Sequence, residues 1–343
     1  LGDTICKLPS LWALRDSFPK AHICLVSQAE KKGAFITAKE VLQGTPLVDK
    51  FEITLIKGPL ISRWIDRLLL ILRMRKIQWD IGIALMPNYP PSNTDVFQNI
   101  TRYLRYFGCQ KIYSPQKIIS FHKKEGRLIG LPHVADNMLQ TINRLGIPTP
   151  SPQSGKFFLP KRIDESIWAH NFFDKICIPD IKFFAAVSLG ANMNSNIWPT
   201  ERYTKVLHFL WEKHKVAPIF FGSINLKDQF NHFIEALPVK FFCSGESIGR
   251  VAELMRKCSF YLGNDTGLMH LAVSTGLRCI MVSGSRNAPG IWEPYGKGHI
   301  VLRVNIECEG CLLEKCSEKK NRCLTEISVE EVIVASEKMI NSL

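Results

Sequence analysis

The 343-residue sequence lacks any apolar run long enough to cross a membrane. Its best candidate, Leu68-Leu-Leu-Ile-Leu72, falls far short of the ~20 residues a spanning helix requires. No secretory leader is evident, and the chain opens abruptly on Leu1-Gly-Asp-Thr4. Short-period repeats and low-complexity tracts are also missing, which argues against solenoids and disordered arrays. Acidic residues are in deficit: 31 Asp and Glu face 44 Lys and Arg, a net charge of +13. Such an excess implies a polyanionic partner or surface, namely nucleic acid, anionic lipid or a phosphorylated ligand. The basic residues are scattered rather than interleaved with aromatics, and no nucleic-acid-binding signature accompanies them, so nucleic acid ranks last.

What is present reads as a globular α/β protein. Hydrophobic content of 46% and charged content of 22% suit a packed core, and the length predicts two domains of roughly 150 residues each. Strand and helix signals alternate, which calls for parallel sheets covered by helices. In the first half, 8–18 has helical spacing, while 21–26, 51–56 and 80–86 read as strands, the last running into the loop Pro87-Asn-Tyr-Pro-Pro-Ser92. The Pro-, Ser- and Gly-rich stretch between Pro148 and Pro160 reads as the linker. Strand signals restart at 183–188, 217–221, 239–243, 257–262 and 279–283. The expected division is an amino-terminal domain over 1–155, a carboxy-terminal domain over 156–327, and a terminal helix over 328–343 that packs back on the amino-terminal domain.

The segment Tyr261-Leu-Gly-Asn-Asp-Thr-Gly-Leu-Met-His-Leu-Ala272 is the most informative. It predicts a strand entering a helix whose first N–H groups and positive dipole end suit a diphosphate. Gly267 would let a phosphate approach the backbone, and Thr266 and His270, four apart, share a helix face. Asp265 would accept hydrogen bonds from sugar hydroxyls. An ordinary N-capped helix start, for which Asn, Asp and Thr are common, fits the same residues.

Several widely spaced motifs then agree in order. Gly2-Asp-Thr-Ile-Cys-Lys-Leu-Pro-Ser-Leu-Trp-Ala-Leu-Arg15, Asp80 to Ser92, Ser188-Leu-Gly-Ala191 with Trp198-Pro199 and Glu201-Arg202-Tyr203, and Gly263 to Ala272 together resemble family 9 glycosyltransferases, the group that contains the lipopolysaccharide heptosyltransferases. The resemblance implies two Rossmann-like domains facing across a cleft, the glycosyltransferase B-type fold (GT-B). The first strand usual in the amino-terminal domain is not found upstream of Asp3. It also implies inverting, metal-independent transfer of a heptose from ADP-heptose to a saccharide of the lipopolysaccharide core, with no cofactor required for catalysis and no Asp-x-Asp pair in the chain. Asp3 would be the catalytic base; an N-cap of the following helix is its other reading. Ser188, Gly190, Asn196, Asp265, Thr266, Gly267 and His270 would hold the donor, and Asn88 and Ser92 the acceptor.

One departure stands out: family heptosyltransferases usually carry a lysine two residues before the Trp-Pro pair, and here that residue is Asn196. Arg202, Lys205 or Arg286 could supply the missing charge. Another nucleotide sugar, used for capsule, O-antigen or protein glycosylation, and a non-catalytic nucleotide-sugar-binding module are therefore alternatives. Cys308, Cys311, Cys316 and Cys323 form a C-x2-C-x4-C-x6-C cluster that reads either as a structural zinc or iron site or as free thiols. The other seven cysteines (Cys6, Cys24, Cys109, Cys177, Cys243, Cys258 and Cys279) read as small core residues. Arg63, Arg67, Arg73, Arg75 and Lys76 flank the leucine run near Trp64, a pattern shared by a helix resting on anionic lipid and by a buried helix with a solvated face; the buried helix is preferred. His133 reads as structural, at the start of a helix. The expected partners are a nucleotide-diphosphate sugar and a lipid-linked saccharide acceptor, and the expected location is the cytoplasm, at the inner face of a bacterial inner membrane.

Overall fold

The computed structural model describes residues 1–343 except 30–35, 56–58, 91, 93, 177, 224 and 318. Ile56, Pro91 and Cys177, named above in a strand, a loop and the core, thus lie outside the described residues. The chain divides into two units: one holds Leu1, Asp3–Phe121 and Pro132–Phe157, the other Gly2, His122–Leu131 and Phe158–Leu343.

The first unit runs α1 (Gly2–Ile5), α2 (Leu8–Ser17), β1 (Cys24–Ala29), α3 (Ala38–Leu42), β2 (Lys50–Leu55), α4 (Leu60–Arg75), β3 (Ile81–Ile83), α5 (Thr94–Tyr106) and β4 (Lys111–Tyr113). A small hairpin of β5 (Lys123–Lys124) and β6 (Arg127–Leu128) follows and belongs to the second unit, after which α6 (Val134–Asn143) returns to the first. Strands β1 and β2 pair in parallel, as do β3 and β4, and among the described residues no strand joins the two pairs. Two-stranded pieces have little stability of their own. They depend on small clusters, Leu14 with Ile142 and Ile147, and Leu70 with Met74 and Phe107.

The second unit continues with α7 (Ile163–Asp174), β7 (Phe183–Ser188), a 3₁₀ turn (Asn194–Asn196), α8 (Thr200–His214), β8 (Val216–Gly222), α9 (Leu226–Ile234), β9 (Phe241–Ser244), α10 (Ile248–Met255), β10 (Phe260–Asn264), α11 (Gly267–Ser274), β11 (Cys279–Ser283), β12 (Ile300–Arg303), α12 (Arg322–Thr325) and α13 (Val329–Ile340). Its six strands are all parallel in the order β9-β8-β7-β10-β11-β12. That order is the dinucleotide-binding one, whose chain direction reverses between the first and fourth strands and opens a crevice at their carboxyl ends. Here those strands are β7 and β10. Both faces of the sheet are covered, so its strands are continuous apolar runs rather than alternating ones.

The terminal helix α13 packs against α8, β11 and β12, and Val332, Ala335, Met339 and Ile340 complete the core of the second unit. Its apolar stripe is buried there, at roughly 1.5–3 kcal/mol per large side chain. Ser328 and Glu331 form a reciprocal capping box that starts it.

Gly263 is required at the middle of this sheet by contact rather than by dihedral freedom. A Cβ built there would stand 2.6 Å from the Tyr261 hydroxyl oxygen and 2.8 Å from the Ser188 carbonyl oxygen. Gly263→Ala is expected to lower unfolding stability by about 2 kcal/mol through overpacking, measured by urea denaturation; an unchanged midpoint would contradict this contact.

Candidate functional site

The crevice of the second unit is built around the carboxamide of Asn264, the last residue of β10, which is fully buried. The Trp198 backbone N–H and the Tyr203 hydroxyl donate to its Oδ1 at 3.0 and 2.9 Å, and its Nδ2 donates to the Leu189 carbonyl at 2.8 Å. One side chain therefore ties the end of β10 to the segment after β7 and to the start of α8. Trp198 stacks edge-on with Tyr203, ring centroids 4.7 Å apart, and its indole N–H donates to Ile327.

Directly after Asn264, Thr266 caps α11, its hydroxyl accepting from the Met269 N–H at 3.4 Å. The hydroxyls of Tyr261 and Thr266 lie 3.4 Å apart. His270 is buried one turn into the helix, edge-on to Trp292. Ser188 ends β7 and Gly190 follows it, so both sit on the other side of the chain reversal. Asn196 is buried and its Nδ2 donates to the Asp265 carbonyl and to Oδ2, at 3.4 and 3.5 Å. Its Oδ1 has no hydrogen-bond partner among the described residues. The sequence-predicted donor residues are thus gathered at the carboxyl ends of two adjacent strands.

Burial pushes the Asp265 carboxyl up to about 6, against the opposing pull of Arg286 and Arg303. Those two guanidinium groups are the cations that act on it. Arg286 also donates to the carbonyls of Leu312 and Leu313, and Arg303 to that of Asn287. Arg202, by contrast, donates to the carbonyls of Thr325 and Ile327 at 2.7 Å and so fastens the α12–α13 turn. Asn264 and Arg303 were not among the residues singled out from the sequence. A polar side chain closing an otherwise buried strand is the signal for Asn264; Arg303 ends a strand that the sequence reading did not assign.

The four clustered cysteines line one cavity of about 20 Å³, together with Ser195, Arg286, Lys319 and Arg322. Their loop is stitched to the Asn194–Asn196 turn: the Ser195 hydroxyl donates to the Leu313 carbonyl at 2.6 Å, its N–H to that of Glu314, and Asn321 Nδ2 to that of Asn194. Burial raises the Cys323 thiol, and the three neighbouring cysteines raise it further.

In the first unit, Asp3 is exposed on α1, and the N-cap position of α2 is Lys7, so the Asp3 carboxylate does not cap that helix. Cys6 and His133 are both buried and offer ligand atoms within 4.8 Å of each other, a metal-ligating pair of residue types that the sequence reading left apart. His133 caps α6, its Nδ1 accepting from the Ala135 N–H at 3.0 Å. Asn88 is largely committed to structure: its N–H donates to Asn137 Oδ1 and its Nδ2 to the Lys117 carbonyl at 2.8 Å. Its Oδ1 has no partner among the described residues. The Ser92 N–H closes a turn on the Tyr89 carbonyl.

This architecture, two α/β units of which the second has a dinucleotide-binding strand order with a capped helix at its switch point, is that of a GT-B glycosyltransferase. Solved structures share it along the chain. A glycosyltransferase family 9 protein from Veillonella parvula superposes with a TM-score of 0.74 at 21% identity, covering 100% of this chain and 94% of that one. The ADP-heptose lipopolysaccharide heptosyltransferase II of E. coli gives 0.70 at 16% identity, covering 99% and 96%. Lipooligosaccharide heptosyltransferase 2 of Campylobacter jejuni is 18% identical over 349 residues, spanning 100% of this chain and 96% of its own length. The model of glycosyltransferase family 9 (heptosyltransferase) matches residues 122–322, and the chain belongs to that family. It is a glycosyltransferase.

Because the Asp265 carboxyl rises from 3.8 to about 6 on folding, the folded state holds its proton more tightly than the unfolded one. The stabilisation is complete below about pH 4 and is lost as pH rises through about 6. Asp265→Asn should remove that slope, a change of up to about 3 kcal/mol across the interval, read from urea midpoints at a series of pH values. Parallel pH profiles for the two proteins would contradict it.

Proposed function

We propose that this family 9 enzyme transfers a heptose, with inversion, from ADP-heptose to a saccharide of the lipopolysaccharide core on a lipid-linked acceptor at the inner face of a bacterial inner membrane. The observation that supports it most is the junction from Asn264 to His270 at the switch point. A capped helix start, an adjacent Gly and a carboxyl beside two guanidinium groups suit a sugar diphosphate. The heptosyltransferase relatives supply the donor and acceptor classes.

In this reading Thr266, Gly267 and His270 hold the diphosphate, Asp265 accepts from sugar hydroxyls, and Ser188, Gly190 and Asn196 complete the donor pocket. Asn88 Oδ1 and Ser92 contact the acceptor saccharide. The acceptor oxygen attacks the anomeric carbon as its proton passes to the Asp3 carboxylate, and the bond from that carbon to the diphosphate oxygen breaks. The departing ADP carries its added negative charge toward the α11 N–H groups, with Arg286 and Arg303 in support.

Asp3→Ala should lower turnover of ADP-heptose at least ~10²-fold while leaving the donor-induced thermal shift intact. A variant that turns over normally would remove Asp3 from the base role. Stabilisation by UDP- or GDP-sugars in place of ADP-heptose would overturn the donor assignment.

We also propose that Cys308, Cys311, Cys316 and Cys323 hold a structural zinc or iron ion. Four thiols line one small cavity, and cysteine sulfur is the donor that structural zinc and iron sites commonly use. Elemental analysis of the purified chain should find stoichiometric metal, lost in Cys311→Ser/Cys316→Ser together with thermal stability. Metal-free protein with four titratable thiols at this loop would refute the site.

A further inference from the structure

Helix α4 is built the wrong way round for a helix facing water. It seats on β2 and α5 through Leu70 and Met74, which join Phe107, Tyr103 and Leu104 in a small cluster. Its opposite face presents Leu60, Ile61, Trp64, Ile65, Leu68 and Leu72 at 68, 75, 72, 53, 55 and 52% exposure. Spacings of one, three and four place these residues on a single stripe. Polar residues that would normally face solvent are turned toward the protein. Asp66, the only acidic residue of the helix, accepts from the Thr54 hydroxyl at 2.8 Å, and the Arg67 guanidinium lies 5.9 Å from the Tyr103 ring centroid. The buried helix preferred from sequence is therefore reversed: of its leucines Leu70 faces the protein, and Leu60, Leu68, Leu69 and Leu72 are exposed.

We infer that this face is an interfacial helix that docks the first unit on an anionic lipid bilayer. The stripe is contiguous, where ordinary surface apolar residues are scattered. Trp64, near its middle, has the amphipathic ring that favours the headgroup boundary. The exposed cations Arg75 and Lys76 lie at the carboxyl end, next to Arg73, which pairs with Glu52 at 3.3 Å, and the one acidic group of the helix is occupied on the protein side. Between Leu60 and Lys111 there are eight Lys and Arg against three Asp and Glu.

Apolar area and positive charge on one short helix are what an interfacial helix requires. Its 16 residues span about 24 Å if straight, and no helix among the described residues is long and apolar enough to cross a membrane, so α4 would lie in the interface plane. A second copy of the chain is the poorer occupant. It carries the same +13 charge and would bring like charges together, whereas an anionic surface supplies the opposite sign. The inference does not depend on which sugar is transferred.

Sedimentation of the full chain with vesicles provides the test. The protein should pellet with phosphatidylcholine vesicles containing phosphatidylglycerol, remain in solution with phosphatidylcholine alone, and be released by added salt. Trp64 emission, taken as the difference between wild type and Trp64→Phe, should shift to the blue on binding. Ile61→Gln/Trp64→Gln/Leu68→Gln should weaken partitioning at least about tenfold with an unchanged melting temperature. Arg75→Glu/Lys76→Glu, which alters only exposed side chains, should weaken it as well and keeps the test informative if the triple variant misfolds. A wild type that stays in solution with the anionic vesicles, or charge-reversed and apolar-stripped variants that pellet as before, would overturn the assignment. A lipid-free dimer that becomes monomeric in the triple variant would overturn it too, assigning the face to a second copy.

Discussion

The Asn264 carboxamide is the constraint on which the second domain's crevice depends. It is fully buried at the end of β10, and three hydrogen bonds join it to Leu189, Trp198 and Tyr203. These partners belong to the segment after β7, the Trp-Pro segment and α8, the pieces that flank the start of α11. No other side chain of similar size would serve. Aspartate could accept from Trp198 and Tyr203 but could not donate to Leu189, and it would carry a charge into a buried site. Leucine would leave three buried polar groups without partners, each at about 1–3 kcal/mol. The site's geometry thus comes from an uncharged residue that need not touch the ligand.

A second tier of contacts bears on the same place from the cysteine loop. Ser195 and Asn321 bind that loop to the Asn194–Asn196 turn, and Arg286 donates to its carbonyls while acting electrostatically on Asp265. The cysteine loop at 308–323 is therefore attached to the turn that carries Asn196. Arg202, an attractive substitute for the absent lysine when only sequence is considered, is spent on the α12–α13 turn.

The legible parts of the chain were those whose local pattern already carries the tertiary answer. Strands β7 and β11 fall at 183–188 and 279–283, the bounds their apolar runs suggest, because a parallel strand covered on both faces has no other pattern to show. Thr266 and Gly267 could be placed because a capped helix start is a local device. Strand β12 could not, since Ile300 follows a Gly- and Pro-containing stretch that reads as loop. For α13 and α4 the periodicity gave helices, but neither the partner of a stripe nor the side it faces is encoded in spacing. In α13 the stripe found the second unit's core. In α4 it found no protein partner among the described residues, and the usual assumption that leucines point inward failed.

Asn196 and Asp265 are best understood together. An ammonium at position 196 would favour the ionised form of this carboxyl. Here the neighbour is a neutral amide, 3.5 Å from Oδ2, and burial outweighs the pull of the Arg286 and Arg303 guanidinium groups, so the carboxyl titrates at about 6. A neutral amide at this position therefore has two consequences: it adds no positive charge for a departing phosphate, and the protonation state of Asp265 is sensitive to conditions near pH 6. An amide retains the directional hydrogen bond while giving up the long-range Coulomb attraction. Geometry at this junction is set by Asn264, Asn196 and Gly263, and its electrostatic support comes from Arg286 and from Arg303 at the end of β12, outside the motif itself.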